Sequence, residues 1–179
     1  TDYKSPVTLN NGSKWTPAAS TAATISASLA NVYANFSPFE NSDYKYQHEG
    51  GGKDVWQTPT QTSVSKTGDC EDYAVLAASA LTKGGTNPTQ LRVVNGLLGY
   101  GGANPVSHTV LLHSLSGNFA TSVHGETGKE QFTGTDIKVI DLTAPRKSDG
   151  TDYTLDEYQN AFGFFQPVYS YDSPNASTA

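Results

Sequence analysis

Methionine is absent from this sequence of 179 residues, and cysteine occurs only once, as Cys70. A single cysteine excludes an internal disulfide framework and any zinc or iron–sulfur site that needs several cysteines. No apolar run approaches the roughly 20 residues that span a bilayer, so no membrane insertion is expected. Since the sequence also lacks a signal-peptide pattern, we expect a processed product or an excised part of a longer protein.

Positive charge is also scarce, because 11 Lys and Arg stand against 17 Asp and Glu, for a net charge of −6. This balance argues against a nucleic-acid partner and against an anionic membrane surface. The abundance of Ser, Thr, Asn and Gly favours an extracellular or periplasmic protein. The length predicts one domain over residues 1–179, expected to be monomeric, with residues 1–15 and 173–179 poorly ordered.

The apolar pattern predicts helices first and strands afterwards. A helix from Ala18 to Phe36 carries one apolar stripe, and a second helix, apolar or small on nearly every side, follows Gly68 and stops at Gly84. The predicted strands cover 91–94, with a continuation to 98 left open, 107–115, 119–123, 137–142 and 164–171, and a short helix at 152–162 precedes the last strand. This order predicts an α+β fold with an antiparallel sheet.

Cys70 is the candidate nucleophile, because it precedes the buried helix, where backbone N–H groups and the helix dipole stabilise a thiolate. A nucleophilic cysteine needs a base and a group that orients the base. His108 opens a predicted strand, and Asp141 lies near the end of a later, strongly apolar strand. The sequence therefore predicts a Cys-His-Asp triad in chain order.

Other interpretations of these residues stay open. A lone cysteine is more often a small buried hydrophobic residue than a nucleophile. His48, His113 and His124 are rival bases. The acids around Cys70 raise the pKa of a thiol by repulsion, yet acids are also what the first turn of a helix favours.

Two strings carry a resemblance to a known family: VWQTPTQT at 55–62 and GDCEDYA at 68–74. They resemble the bacterial transglutaminase-like cysteine peptidases, which include periplasmic proteases that release biofilm adhesins. The family's Trp and Thr-Pro correspond to Trp56, Thr58 and Pro59, and the resemblance extends over residues 55–143. Gln61 stands where the family usually has Glu. The longer segment from Gly117 to Asp136 is expected to hold an accessory hairpin or lid.

The resemblance implies a papain-like core, in which the Cys-bearing helix packs on the antiparallel sheet, and it implies acyl transfer. Cys70 would attack an amide carbonyl of a protein or peptide substrate, and His108 would protonate the leaving amine. The backbone N–H of Cys70 would donate to the oxyanion, with Gln57, Gln61 or Trp56 as the second donor. We expect a cysteine endopeptidase. The alternatives are a protein-glutamine transamidase or amidase, and an inactive binding module of a larger secreted protein.

The resemblance also implies calcium as the cofactor, with no organic cofactor. The family's calcium-binding acids correspond to Asp69 and Glu71, with Asp72 as a third candidate ligand. Calcium takes six to eight oxygen ligands, carboxylates among them. The alternative is that these acids only cap the helix and pair with Lys66 or Arg92.

Overall fold

The structure is a computed structural model, and it describes residues 7–8, 14–15, 31–48, 56–123, 130–133 and 136–166. The chain divides into two compact units. The helical unit comprises Tyr3–Pro88 and Asp141–Pro145, and the sheet unit comprises Thr1–Asp2, Thr89–Ile140 and Arg146–Ala179. The candidate nucleophile Cys70 therefore belongs to the helical unit.

The helical unit contains three helices and two small pairs of strands within its described residues. β1 pairs with β2 in antiparallel orientation, and β3 pairs with β4 in parallel orientation. Their bounds, with the described part of the first helix, are β1 Val7–Thr8, β2 Lys14–Trp15, α1 31–36, β3 Lys45–Tyr46, α2 Pro59–Ser65, β4 Thr67–Gly68 and α3 Cys70–Lys83.

The predicted buried helix is α3, and it is the core of this unit. Eleven of its fourteen residues are buried, which is why its sequence shows no polar face. Tyr73 has no exposed surface, and its hydroxyl donates to the carbonyl of Lys45 at 2.7 Å. The helix ends as predicted at Gly84, whose N–H donates to the carbonyl of Ala80.

Helix α2 was not predicted, although the sequence carries its start signal. Thr58 is the N-cap, Pro59 is the first helical residue, and the backbone N–H of Gln61 donates to the Thr58 hydroxyl at 3.2 Å. The Gln61 side chain accepts the N–H of Thr58 at 2.8 Å, which completes a capping box. Gln61 thus makes the contacts that Glu makes in such a box, so the departure from the family pattern leaves the helix start intact.

The sheet unit is built on four antiparallel strands, in the order Tyr153–Thr154 (β10), Ile137–Ile140 (β9), Val106–Ser114 (β6) and Leu91–Leu98 (β5). The predicted α+β class, with an antiparallel sheet and a Cys-bearing helix, is confirmed. A separate hairpin, β7 with β8, occupies the segment where the sequence predicted one. The elements of this unit, beginning with a 3-10 turn at Pro88–Gln90, are β5 Leu91–Leu98, β6 Val106–Ser114, β7 Thr121–Val123, β8 Glu130–Phe132, β9 Ile137–Ile140, β10 Tyr153–Thr154 and α4 Leu155–Phe162.

One face of this sheet packs into an apolar cluster with α4 and the segment after it. Val94, Val110 and Leu112 of the central strands belong to it, with Leu155 and Tyr158 of α4. In regular strands alternate residues share a face, so His108 lies on the same face of β6 as Val110 and Leu112. The predicted strand face of His108 is therefore the face that carries this core.

Some predicted segments lie wholly or partly outside the described residues. The first helix is described only over 31–36 of the expected 18–36, and the tail at 173–179 is not described. The expected last strand, 164–171, is described only to residue 166, where Phe165 forms a bridge with Leu97. None of the helices in the described part of the chain has the length and apolar character that a membrane span requires.

Candidate active site

The candidate nucleophile lies at the start of α3, as the sequence predicted. Asp69 is the N-cap, and Cys70 is the first residue of the helix and half-buried. The backbone N–H groups of a first helical turn have no carbonyl partner within the helix, and together with the helix dipole they favour an anion at the position of Cys70. The position therefore offers both access to the thiol and hydrogen-bond donors near it.

The side chains of Glu71 and Tyr46 contact the Cys70 thiol. The Sγ atom donates to Oε2 of Glu71 at 3.2 Å. The hydroxyl of Tyr46 is hydrogen-bonded to the same thiol. Burial raises the pKa of Tyr46, and the negative charges of Cys70, Asp69 and Glu71 raise it further. A phenol that keeps its proton among these groups is a hydrogen-bond donor to them.

Asp72 joins the start of α3 to the segment before α2. Its carboxylate accepts the backbone N–H of Gln57 at 2.8 Å, the Gln57 side-chain amide at 3.1 Å and the backbone N–H of Asp69 at 3.2 Å. Burial raises the pKa of Asp72 to about 6, against the lowering by the N–H donors of Gln57 and Asp69, and the charge of Asp69 adds to the rise. A Cβ on Gly68 would lie 2.8 Å from the Asp72 Cβ, so only glycine fits there.

The three candidate oxyanion donors have different surroundings. The Gln57 amide donates to the carbonyl of Thr67 at 3.3 Å and to Asp72 at 3.1 Å, so both of its hydrogens are used. Gln61 is exposed, and its Oε1 completes the cap of α2. Trp56 is half-buried and stays a candidate donor. The geometry therefore gives Gln57 and Gln61 structural contacts at this point of the chain.

The acids beside Cys70 fit a cation in part. Oδ1 of Asp69 is buried and has no hydrogen-bond partner in the part of the chain that the structure describes, and Glu71 is buried as well. Asp72 already accepts three hydrogen bonds. Among the described residues, no group of three or more His, Cys, Asp or Glu side chains is arranged to hold a metal ion. The residues that fit a cation are thus Asp69 and Glu71, with further oxygen ligands still to be supplied.

Asp141 belongs to the same unit as Cys70 and is held firmly. Its Oδ1 accepts the Thr143 hydroxyl at 2.6 Å and the Thr143 backbone N–H at 2.9 Å, while its own N–H donates to the Tyr33 hydroxyl at 3.1 Å. Ser37 donates to the carbonyl of Leu142 at 2.8 Å. These contacts were not predicted from the sequence, although an Asp followed two residues later by Thr is a common turn signal.

His108 belongs to the sheet unit, where it is the third residue of β6 and buried. It lies opposite Gly96 of β5. A Cβ at Gly96 would lie 2.4 Å from the carbonyl oxygen of Phe165, so the strand beside His108 carries no side chain. The structure thus groups Cys70, its neighbouring acids and Asp141 in the helical unit, and it gives His108 a fixed strand position in the sheet unit.

The rival histidines differ in their surroundings. His113 is buried, which lowers its pKa to about 4, and its Nε2 has no hydrogen-bond partner among the described residues. His48 is exposed and packs edge-on against the ring of Tyr46, with ring centroids 4.9 Å apart. His124 lies outside the described residues. His48 is therefore the rival that the structure brings to the surroundings of Cys70, through Tyr46.

Residues 14–99 match the family model of the transglutaminase-like domain. The protein has a transglutaminase-like fold. The match contains the GDCEDYA string, so the predicted resemblance is confirmed. No curated protein matches this chain significantly.

Solved structures of LapG from Legionella pneumophila are similar to it. The EGTA-treated form has a TM-score of 0.55 and 20% identity, over 87% of this chain and 67% of LapG. The calcium-bound form has a TM-score of 0.55 and 19% identity, over 87% and 69%. At this identity the likeness shows the fold, and the chain spans about two thirds of the LapG chain.

Proposed function

We propose that this transglutaminase-like protein is a cysteine endopeptidase that cleaves amide bonds of a protein substrate through a Cys70 thioester. One observation carries the proposal: its only cysteine is half-exposed at the first residue of a buried helix, inside the string that resembles the family's nucleophile motif. A cysteine kept only for packing would instead be fully enclosed. The fold is one that cysteine peptidases of the resembled family use.

The proposed mechanism uses Cys70, His108 and Asp141. The Cys70 sulfur forms a bond to the substrate carbonyl carbon, and the carbonyl π electrons move to oxygen. His108 takes the thiol proton and returns it to the leaving amine, while Asp141 orients His108. The contacts of Asp141 with Thr143 support this role, because a carboxylate fixed by two donors cannot rotate freely. Water then hydrolyses the thioester.

Calcium is the cofactor that the donor set supports. Asp69 and Glu71 would hold the ion, because Asp69 has a buried carboxylate oxygen with no hydrogen-bond partner among the described residues and Glu71, two positions later, is also buried. The calcium-bound structure of LapG supports calcium as the ion. When bound, calcium supplies positive charge that offsets the carboxylates next to the thiolate. Asp72 is the third candidate ligand, and its present hydrogen bonds make it the weakest of the three.

A protein-glutamine transamidase on the same residues is the second candidate, since an amine in place of water would intercept the same thioester. An inactive binding module is the third. The composition and the resemblance support a site of action outside the cytoplasm, in the periplasm or the extracellular space. We also propose a monomer that contains a single transglutaminase-like domain.

One experiment separates these functions. The secreted proteins of the source organism are incubated with wild type or with Cys70→Ala, and new N-termini are identified by mass spectrometry. A parallel incubation with dimethylcasein and dansylcadaverine reports transamidation. Cleavage products that require Cys70 support the peptidase, and Cys70-dependent amine incorporation without cleavage supports the transamidase. Neither product, in the presence of calcium, would leave the binding module and refute the proposal.

A further inference from the structure

Tyr46 is fixed beside Cys70 by the parallel pairing of β3 with β4. Tyr46 lies in register with Gly68, two positions before Cys70 in the chain. The N–H groups on either side of it, those of Lys45 and Gln47, donate to the carbonyls of Lys66 and Gly68 at 2.9 and 2.8 Å. The backbone at Tyr46 is therefore locked to the strand that leads into the nucleophile helix.

Two further contacts restrict this strand and the ring it carries. The Tyr73 hydroxyl, from the core of α3, donates to the carbonyl of Lys45 at 2.7 Å. The ring of His48 packs edge-on against the Tyr46 ring, with centroids 4.9 Å apart. The hydroxyl of Tyr46 is hydrogen-bonded to the Cys70 thiol, while 39% of the surface of Tyr46 stays exposed. A donor is thus preorganised at the reacting sulfur and open to a substrate.

We propose that Tyr46 is a catalytic residue of this site, whose hydroxyl donates a hydrogen bond to the oxyanion formed when Cys70 attacks a carbonyl. The inference rests on the proposed acyl-transfer function. When the Cys70 sulfur bonds to the carbonyl carbon, the oxygen that receives the π electrons is attached to the same carbon. A donor that reaches the sulfur in the free protein is therefore within a short shift of that oxygen.

The surroundings favour Tyr46 over the two glutamines as the donor beside the Cys70 N–H. The amide hydrogens of Gln57 are already used, and the side chain of Gln61 caps α2. A tyrosine hydroxyl carries its proton at neutral pH, so Tyr46 can act as a hydrogen-bond donor. Tyr46 donates a hydrogen bond and transfers no proton, and the leaving group takes its proton from His108.

Two reactions of the same thiol test this role. Acetylation of Cys70 by p-nitrophenyl acetate passes through an oxyanion, whereas alkylation by iodoacetamide displaces iodide and forms none. Rates of both reactions are compared for wild type, Tyr46→Phe and Tyr44→Phe. Tyr44 is the matched control, because it is a buried tyrosine of the same segment whose ring packs against Phe36 and Tyr73.

We expect Tyr46→Phe to slow acetylation by roughly 100-fold, the typical cost of one oxyanion donor, while alkylation changes by less than about threefold. Tyr44→Phe should leave both rates near those of wild type. Equal loss of both rates in Tyr46→Phe would show a merely structural role, and unchanged acetylation would show no role; either result overturns the inference while the peptidase proposal stands. If wild type is alkylated but never acetylated, both proposals fail. Acetylation without cleavage of any protein would remove the peptidase and leave the Tyr46 assignment intact.

Discussion

The Sγ of Cys70 and the Oε2 of Glu71 lie 3.2 Å apart, and the thiol donates this hydrogen bond. The same carboxylate is a proposed calcium ligand. A carboxylate that accepts the thiol proton favours the neutral thiol, whereas a carboxylate bound to a cation repels a neighbouring thiolate less. The Glu71 side chain therefore couples the proposed nucleophile to the proposed calcium site.

The first prediction concerns calcium and stability. Calcium added to chelator-treated protein should raise the melting temperature, because an ion bound tighter than about 100 μM stabilises the fold at millimolar concentration by mass action. Asp69→Asn and Glu71→Gln should remove the response. Asp43→Asn is the matched control, because it also removes one negative charge. Asp43 is exposed, and its Oδ2 lies 4.0 Å from the Nζ of Lys66. If neither calcium nor EGTA changes the melting temperature or the acyl-transfer rate of wild type, the acids only cap the helix.

The second prediction identifies the base. His108→Ala should reduce acetylation of Cys70 by at least about 100-fold, because general base catalysis contributes 10²- to 10⁴-fold. His48→Ala should lower the acetylation rate much less, since His48 is exposed and its ring makes a T-shaped contact with the ring of Tyr46. Rates are measured with p-nitrophenyl acetate over a range of pH. The opposite ranking of the two variants would mean that the base had been assigned to the wrong histidine.

The third prediction concerns the orientation of Asp141. Asp141→Asn should lower the acyl-transfer rate by about 10²- to 10⁴-fold, since an amide cannot stabilise the charged imidazole. Thr143→Val should lower the acyl-transfer rate about tenfold. It removes the 2.6 Å hydrogen bond from the Thr143 hydroxyl to Asp141 but keeps the side-chain shape. Thr143→Ser, which retains the hydroxyl, is the control and should restore the rate. Equal rates in the Val and Ser variants would exclude a positioning role for the hydroxyl.

The fourth prediction is a pH dependence of folding that originates at His113. Burial lowers its pKa in the folded state to about 4 from the ordinary value of 6.5, so the folded state favours the neutral ring. The stability contributed by the neutral His113 ring is fully present above about pH 6.5 and is lost as the pH falls towards 4. The loss reaches roughly 3 kcal/mol in the free energy of unfolding. Urea unfolding of wild type and His113→Leu at about pH 7 and about pH 4.5 checks this. Parallel pH profiles for the two proteins would disprove it.

The sequence was sufficient for elements whose signal is long or chemically distinctive. Helix α3 was predicted because fourteen consecutive residues lack a polar face, and the apolar strands β5, β6 and β9 because alternating or continuous apolar runs mark them. Helix α2 was not predicted, because its seven mostly polar residues show no apolar stripe. Thr58, Pro59 and Gln61 nevertheless form a recognisable N-terminal capping pattern.

The surroundings of Cys70 could be predicted only in part. The acids are its chain neighbours and were visible at once, but Tyr46 is brought there by a parallel ladder of two residues, Lys45 and Tyr46 with Thr67 and Gly68. So short a ladder leaves no periodic pattern. The hydrogen bond from Asp141 to Tyr33 likewise joins residues 108 positions apart, which no local pattern encodes.

The most direct measurement is the mass of the protein after reaction with p-nitrophenyl acetate and quenching in acid. One added acetyl group is expected in wild type, located on Cys70 as a thioester that hydroxylamine removes, and none in a folded Cys70→Ala variant. The acetyl group should leave slowly in His108→Ala, because the same base activates the hydrolytic water. Acetylation of lysines alone, or equal acetylation of wild type and Cys70→Ala, would contradict the claim that Cys70 is the nucleophile of an acyl-transfer enzyme.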